Sequence, residues 1–131
     1  MKRFALGLAA ILMATAAYAA DPAKTMDTTL GKVWTDQKGM TLYTFDNDKK
    51  GETMSACTDK CITAWPPFLA AEGDKAEGDW TIIDVKDKDG AMKKMWAYDG
   101  MPLYTWFKDT KPGDVTGDGV GGVWHVAKDT E

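Results

Sequence analysis

An internal duplication constrains this chain more than any other feature. The stretch 39-GMTLYTFDNDKKGE-52 returns as 100-GMPLYTWFKDTKPGD-114. Gly39, Met40, Leu42, Tyr43 and Thr44 align with Gly100, Met101, Leu103, Tyr104 and Thr105. Phe45 aligns with Trp106, and Asp48 with Asp109. Each copy follows a tryptophan, Trp34 or Trp96, and ends on another, Trp65 or Trp124. The period is about 60 residues, longer than the units of stacked solenoids. Two such copies predict one pseudo-symmetric domain.

The segments between turn signals read as strands. Residues 32–35 and 40–45 flank 36-DQKG-39, and 80–85 and 91–98 flank 86-KDKDG-90. A third turn is Asp99-Gly100, between 96-WAY-98 and 101-MPLYTWF-107. Asp-Gly between apolar runs marks a type I′ hairpin, because both central residues need positive φ. A last strand is expected over 121–127, and 71–79 reads as a polar loop. Only 55-SACTDKCITAWP-66 suits a helical turn, which Pro66 and Pro67 end. The fold class expected is all-β: a small sandwich or partly closed barrel of two hairpin repeats, about 32–67 and 93–127 within a domain 30–131. Residues 20–29 are expected to be a flexible leader. The core is expected from Trp34, Leu42, Phe45, Trp65, Ile82, Val85, Trp96, Leu103, Trp106, Val123 and Val126.

The chain opens with Lys2 and Arg3, a short apolar run and Ala17-Tyr18-Ala19, the pattern of a secretory signal peptide over residues 1–19. The run is shorter than the about 20 residues a spanning helix needs, so no stable membrane insertion is expected. Cleavage after Ala19 leaves 112 of 131 residues, periplasmic or secreted, with 14 basic against 20 acidic side chains and no arginine. That balance excludes nucleic acid, whose binding needs clustered cations.

The motifs carry a resemblance. Tandem Y-x-[FWY]-x-x-D, present as 43-YTFDND-48 and 104-YTWFKD-109, resembles a family of bacterial secreted proteins, often lipoproteins, of unassigned function. The family commonly shows C-x-x-x-C before W-P-P, here 57-CTDKC-61 and 65-WPP-67. It also shows a glycine-rich approach to a terminal Trp-His, here 117-GDGVGGVWH-125. The resemblance covers about Leu30 to Ala127 and implies a secreted two-repeat domain. The chain lacks the family's lipid-attachment cysteine, its first being Cys57, which favours a free periplasmic protein.

Tyr43, Phe45, Asp48, Tyr104, Trp106 and Asp109 admit two readings. In one, each aspartate accepts backbone N–H groups or a tyrosine hydroxyl in a structural corner. In the other, the aromatics and acids line a binding cleft. Cys57 and Cys61 admit three. A disulfide in an oxidising compartment would stabilise the domain by about 2 kcal/mol. A soft-metal site would use both thiolates with His125 and Met54 and favour copper. A switchable dithiol is the third, though the oxidoreductase motif is C-x-x-C. The 46-DNDKKG-51 loop starts like a calcium loop but has Cys57 where glutamate is needed. One histidine allows no nucleophile–base pair to be read, so no enzyme and no cofactor are expected. The leading expectation is a periplasmic, non-enzymatic binding module facing an envelope protein or small ligand near the Tyr/Asp repeats. The alternatives are a copper-handling or electron-transfer accessory protein, and a cell-envelope structural protein.

Overall fold

The computed structural model describes residues 21–129. The signal peptide expected over 1–19, with cleavage after Ala19, lies outside these residues. The elements are β1 (Lys24–Thr28), β2 (Gly31–Thr35), β3 (Tyr43–Phe45), α1 (Lys60–Ala64), β4 (Trp80–Lys86), β5 (Met92–Tyr98), β6 (Met101–Pro102), a 3₁₀ turn at Val120–Gly122, and β7 (Trp124–Val126). The fold is all-β, with three small antiparallel sheets ordered β1-β2, β3-β7 and β4-β5-β6. Among the described residues they do not close into a barrel.

The turn chemistry explains the hairpins. At the β5–β6 turn Asp99 has φ 51° and Gly100 φ 81°, as a type I′ turn demands. A Cβ on Gly100 would also lie 2.7 Å from Lys50 Cγ, so glycine is needed for space as well as for conformation. The β4–β5 turn is held by Asp87, whose Oδ1 accepts the Asp89 and Ala91 N–H groups. The Ala91 N–H is the chief reason this carboxyl stays below its ordinary range. Asp36 repeats the device, accepting Lys38 and Met40 N–H.

The expected flexible leader at 20–29 is corrected in part. Residues Lys24–Thr28 form β1, paired with β2 from Lys24↔Thr35 to Thr28↔Gly31. The strand escaped notice because it is an exposed ribbon: only Ala23 beside it is buried and Met26 is half-buried, so no alternation of apolar residues marks it.

The two halves of the chain exchange their ends. Trp34 and Leu42 bond through Leu42 N–H to Trp34 O, and Trp96 and Leu103 bond in the same way. The third strand beside Trp34 and Leu42 comes from the far end of the chain, with Trp34 N–H to Ala127 O and Ala127 N–H to Leu42 O. Beside Trp96 and Leu103 it is Phe68, through Trp96 N–H to Phe68 O and Phe68 N–H to Leu103 O. Ala127 follows Trp124 by three residues, as Phe68 follows Trp65. Each repeat therefore closes on the terminal strand of the other. The join lies at Tyr43 and Tyr104, which exchange backbone bonds of 2.7 and 3.0 Å.

Two apolar clusters fill the domain. One gathers Tyr43, Phe45, Ile62, Trp65, Ile83, Val85, Met95, Tyr104 and Trp124. The other gathers Trp34, Leu42, Trp80, Trp96, Tyr98 and Leu103. Of the expected core, Trp34, Leu42, Phe45, Trp65, Val85, Trp96 and Leu103 are buried. Ile82, Trp106, Val123 and Val126 pack against the clusters half-buried. Tyr43, Tyr104, Trp80 and Trp124 belong to the core as well, and both tyrosine hydroxyls are hydrogen-bonded.

Candidate functional site

The repeated motif forms a crossed pair of locks. The Tyr43 hydroxyl donates to Asp109 Oδ2 at 2.6 Å, and the Tyr104 hydroxyl donates to Asp48 Oδ2 at 2.6 Å. Each tyrosine thus reaches the aspartate of the other repeat. The second oxygen of each carboxylate holds a loop. Asp48 Oδ1 accepts Ala56 N–H at 2.7 Å. Asp109 Oδ1 accepts Thr116 N–H at 3.0 Å and Thr116 Oγ1 at 2.6 Å. The Tyr43 oxygen in turn accepts Gly117 N–H at 3.1 Å, and Ser55 Oγ lies 2.6 Å from the Tyr104 oxygen. Both tyrosines have no exposed surface, and Asp48 and Asp109 are 5% and 7% exposed.

Burial and the carboxylate partners raise both tyrosine pKa values far above the usual range. Burial also raises the Asp48 carboxyl, against the lowering effect of the Tyr104 and Ala56 bonds. The four side chains of the crossed pairs are buried and offer no open face. The partner-facing surface expected at Tyr43/Asp48 and Tyr104/Asp109 does not match this burial. The structural-corner reading does match it.

A four-ring stack runs through the same join, in the order Phe45, Trp124, Trp65, Trp106. The centroid spacings are 4.2, 3.7 and 4.0 Å, with interplanar angles of 7°, 4° and 27°. Tyr43 meets Trp65 edge-on and Tyr104 meets Trp124 edge-on, at 5.4 and 5.2 Å. The two repeat equivalents, Trp65 and Trp124, face each other at the centre. Gly117 lets this happen: a Cβ there would lie 2.9 Å from Tyr43 Cζ and 3.0 Å from both Trp106 Cγ and Trp65 Cη2.

Cys57 and Cys61 form a disulfide with Cα atoms 5.2 Å apart. Cys57 is fully buried against this cluster, and Cys61 packs on it half-buried. The bond pins the segment whose Ala56 N–H binds Asp48. His125 does not join the cysteines in any metal-binding group of three or more His, Cys, Asp or Glu among the described residues. It is exposed on β7, with Nε2 3.0 Å from Asp46 Oδ2. Met54 is also exposed.

A recess lies at the other cluster. It is a groove of about 990 Å³ bordered by Trp34, Phe68, Trp80, Trp96 and Tyr98 and by the 71–79 loop. Trp34, Trp80 and Tyr98 pack edge-to-face or tilted at 4.8 to 5.1 Å. The Trp34 indole N–H is buried without an acceptor among the described residues, a state that costs about 1–3 kcal/mol. Sequence reasoning missed this site because its walls come from five separate segments. The one available signal was the unplaced polar loop 71–79.

A model of a protein family described as a secreted repeat of unknown function matches residues 24–68 and 84–128. The chain belongs to that family. The two matched stretches are the two repeats, and the first begins at β1, ahead of the boundary near residue 32 read from the motif alone. No curated protein and no solved structure matches the chain. Among the described residues no helix is long and apolar enough to cross a membrane.

Proposed function

We propose that this chain is a non-enzymatic binding module, released into the periplasm or medium by cleavage after Ala19, and that its ligand site is the aromatic groove. The tandem Tyr–Asp motif is the fastener that holds the groove's walls in place. The groove itself carries this reading. Its volume lies at the upper end of the range for small-molecule sites, and its floor is aromatic with polar groups at the rim. The Trp34 N–H is a buried donor with no acceptor of its own among the described residues.

Binding is favoured over catalysis because the motif's titratable groups are sealed in the core. Native mass spectrometry after incubation with a low-molecular-mass extract of culture medium tests the reading. Wild type is expected to retain a small molecule that Ala71→Trp, which fills the groove from its exposed wall, does not. Equal retention by both proteins would place the site elsewhere.

A further inference from the structure

We propose that the tryptophan stack carries one-electron oxidation inward from the surface and ends it on a buried tyrosine, an activity separate from the groove. Its substrate is a strong one-electron oxidant, of the class of oxygen-centred radicals, reduced at the surface of the domain. Electron tunnelling falls off exponentially with the gap between donor and acceptor, so rings in van der Waals contact make the shortest steps. Trp124, Trp65 and Trp106 meet that demand, with centroid spacings of 3.7 and 4.0 Å and interplanar angles of 4° and 27°. Tryptophan and tyrosine are the most readily oxidised aromatic side chains. Phenylalanine is far harder to oxidise, and Phe45 stands only at the far end, against Trp124. The outer end reaches solvent: Trp106 is half-buried, while Trp65 and Trp124 are each 4% exposed.

The inner end meets proton acceptors. Loss of an electron makes a phenol strongly acidic, so a buried tyrosine is oxidised readily only where its proton has a place to go. Tyr104 meets Trp124 edge-on at 5.2 Å and donates its hydroxyl to Asp48 Oδ2 at 2.6 Å. Tyr43 meets Trp65 edge-on at 5.4 Å and donates to Asp109 Oδ2 at 2.6 Å. Both bonds are short enough for direct proton transfer. Burial pushes the Asp48 carboxyl up, which favours its taking the proton. Ser55 Oγ and the Gly117 N–H remain beside the Tyr104 and Tyr43 oxygens after the proton leaves. Fastening explains the phenol–carboxylate bonds, but not their contact with a run of oxidisable rings that reaches solvent. In the step itself the oxidant takes one electron from Trp106 and is reduced. Trp65 refills Trp106, Trp124 refills Trp65, and Tyr104 refills Trp124 as its phenolic proton passes to Asp48. The products are the reduced oxidant, a neutral Tyr104 radical and a protonated Asp48, with all three tryptophans restored. Tyr43 and Asp109 form a shorter branch from Trp65.

Flash photolysis of the mature protein tests this, with photogenerated tris(bipyridine)ruthenium(III) as the oxidant. Transient absorption is expected to show the broad visible band of a tryptophan radical decaying as the sharp near-ultraviolet band of a tyrosyl radical rises. Trp106→Phe keeps a ring in the stack but removes the oxidisable entry, and is expected to abolish the tyrosyl rise. Asp48→Asn puts an amide that cannot take the proton beside Tyr104, and is expected to lower the tyrosyl yield to that of the Tyr43 branch. In heavy water the rise should slow, because the phenolic proton moves with the electron. A pair that only fastens predicts no such dependence. Far-ultraviolet circular dichroism checks that the variants are folded, and Trp106→Phe decides the matter alone if Asp48→Asn is not. A tyrosyl rise in Trp106→Phe equal to that of wild type overturns the proposal. So does a tryptophan radical that decays without a tyrosyl rise, or the absence of any protein radical. An unchanged yield in folded Asp48→Asn overturns Asp48 as the proton acceptor.

Discussion

Replacing Tyr43 by phenylalanine removes one oxygen from the centre of the fold and strands two buried groups. Asp109 Oδ2 loses its donor at 2.6 Å, and Gly117 N–H loses its acceptor at 3.1 Å. Hydrogen bonds to charged groups contribute about 1.5–3 kcal/mol, and a buried donor left unmade costs about 1–3 kcal/mol. The expected loss is about 3–5 kcal/mol, a large share of the 5–15 kcal/mol typical of a domain. Tyr104→Phe should cost less, about 2–3 kcal/mol. Its second partner is the Ser55 hydroxyl, which can turn to the Cys57 carbonyl 3.4 Å away. Asp109 cannot relax in the same way, because its other oxygen already holds Thr116 twice. Urea unfolding of wild type and both variants, read by fluorescence and far-ultraviolet circular dichroism, gives the differences directly. A loss under about 0.5 kcal/mol for Tyr43→Phe would refute the claim that the crossed pairs fasten the two repeats.

Three further outcomes follow from the geometry. Gly117→Ala drives a methyl into Tyr43, Trp106 and Trp65 at 2.9–3.0 Å and should cost about 1–3 kcal/mol by urea titration, although Gly117 has no positive φ to lose. Cys57→Ser/Cys61→Ser should lower stability by about 2 kcal/mol and loosen the loop whose Ala56 N–H binds Asp48, read as faster hydrogen exchange at Ala56. Stability should fall on the alkaline side. The folded pKa values of Tyr43 and Tyr104 are raised, so the folded state keeps protons that the unfolded chain releases above its ordinary pKa of about 10. Each tyrosine then removes about 1.4 kcal/mol per pH unit above that point, and urea midpoints that stay flat from pH 9 to pH 11 would contradict it.

The repeat and the Asp99-Gly100 hairpin were legible because each rests on a short motif with a local geometric demand, whereas the cysteine spacing left the Cys57–Cys61 bond as one of three readings. The crossing was not legible. Tyr43 with Asp48 and Tyr43 with Asp109 satisfy the same composition, and a duplicated motif says which residues are equivalent without saying which copy they touch. The exchange of terminal strands is set by Ala127 and Phe68 meeting partners about 85 and 35 residues away, a distance no local pattern encodes. β1 carries too few inward apolar residues to announce itself. The groove is assembled from positions around 21, 34, 68–80, 96–98 and 129, so only the folded chain brings it together.

The tryptophans provide the most direct test of the central claim, that the motif fastens and the groove binds. Of the six, Trp34, Trp80 and Trp96 border the groove, while Trp65, Trp106 and Trp124 form the stack. The indole N–H region of a proton–nitrogen correlation spectrum should therefore give six signals in two spatial groups. During titration with the low-molecular-mass medium extract, the account predicts shifts at Trp34, Trp80 and Trp96 and none at the other three. Shifts confined to Trp65, Trp106 and Trp124 would move the site to the repeated motif and contradict it.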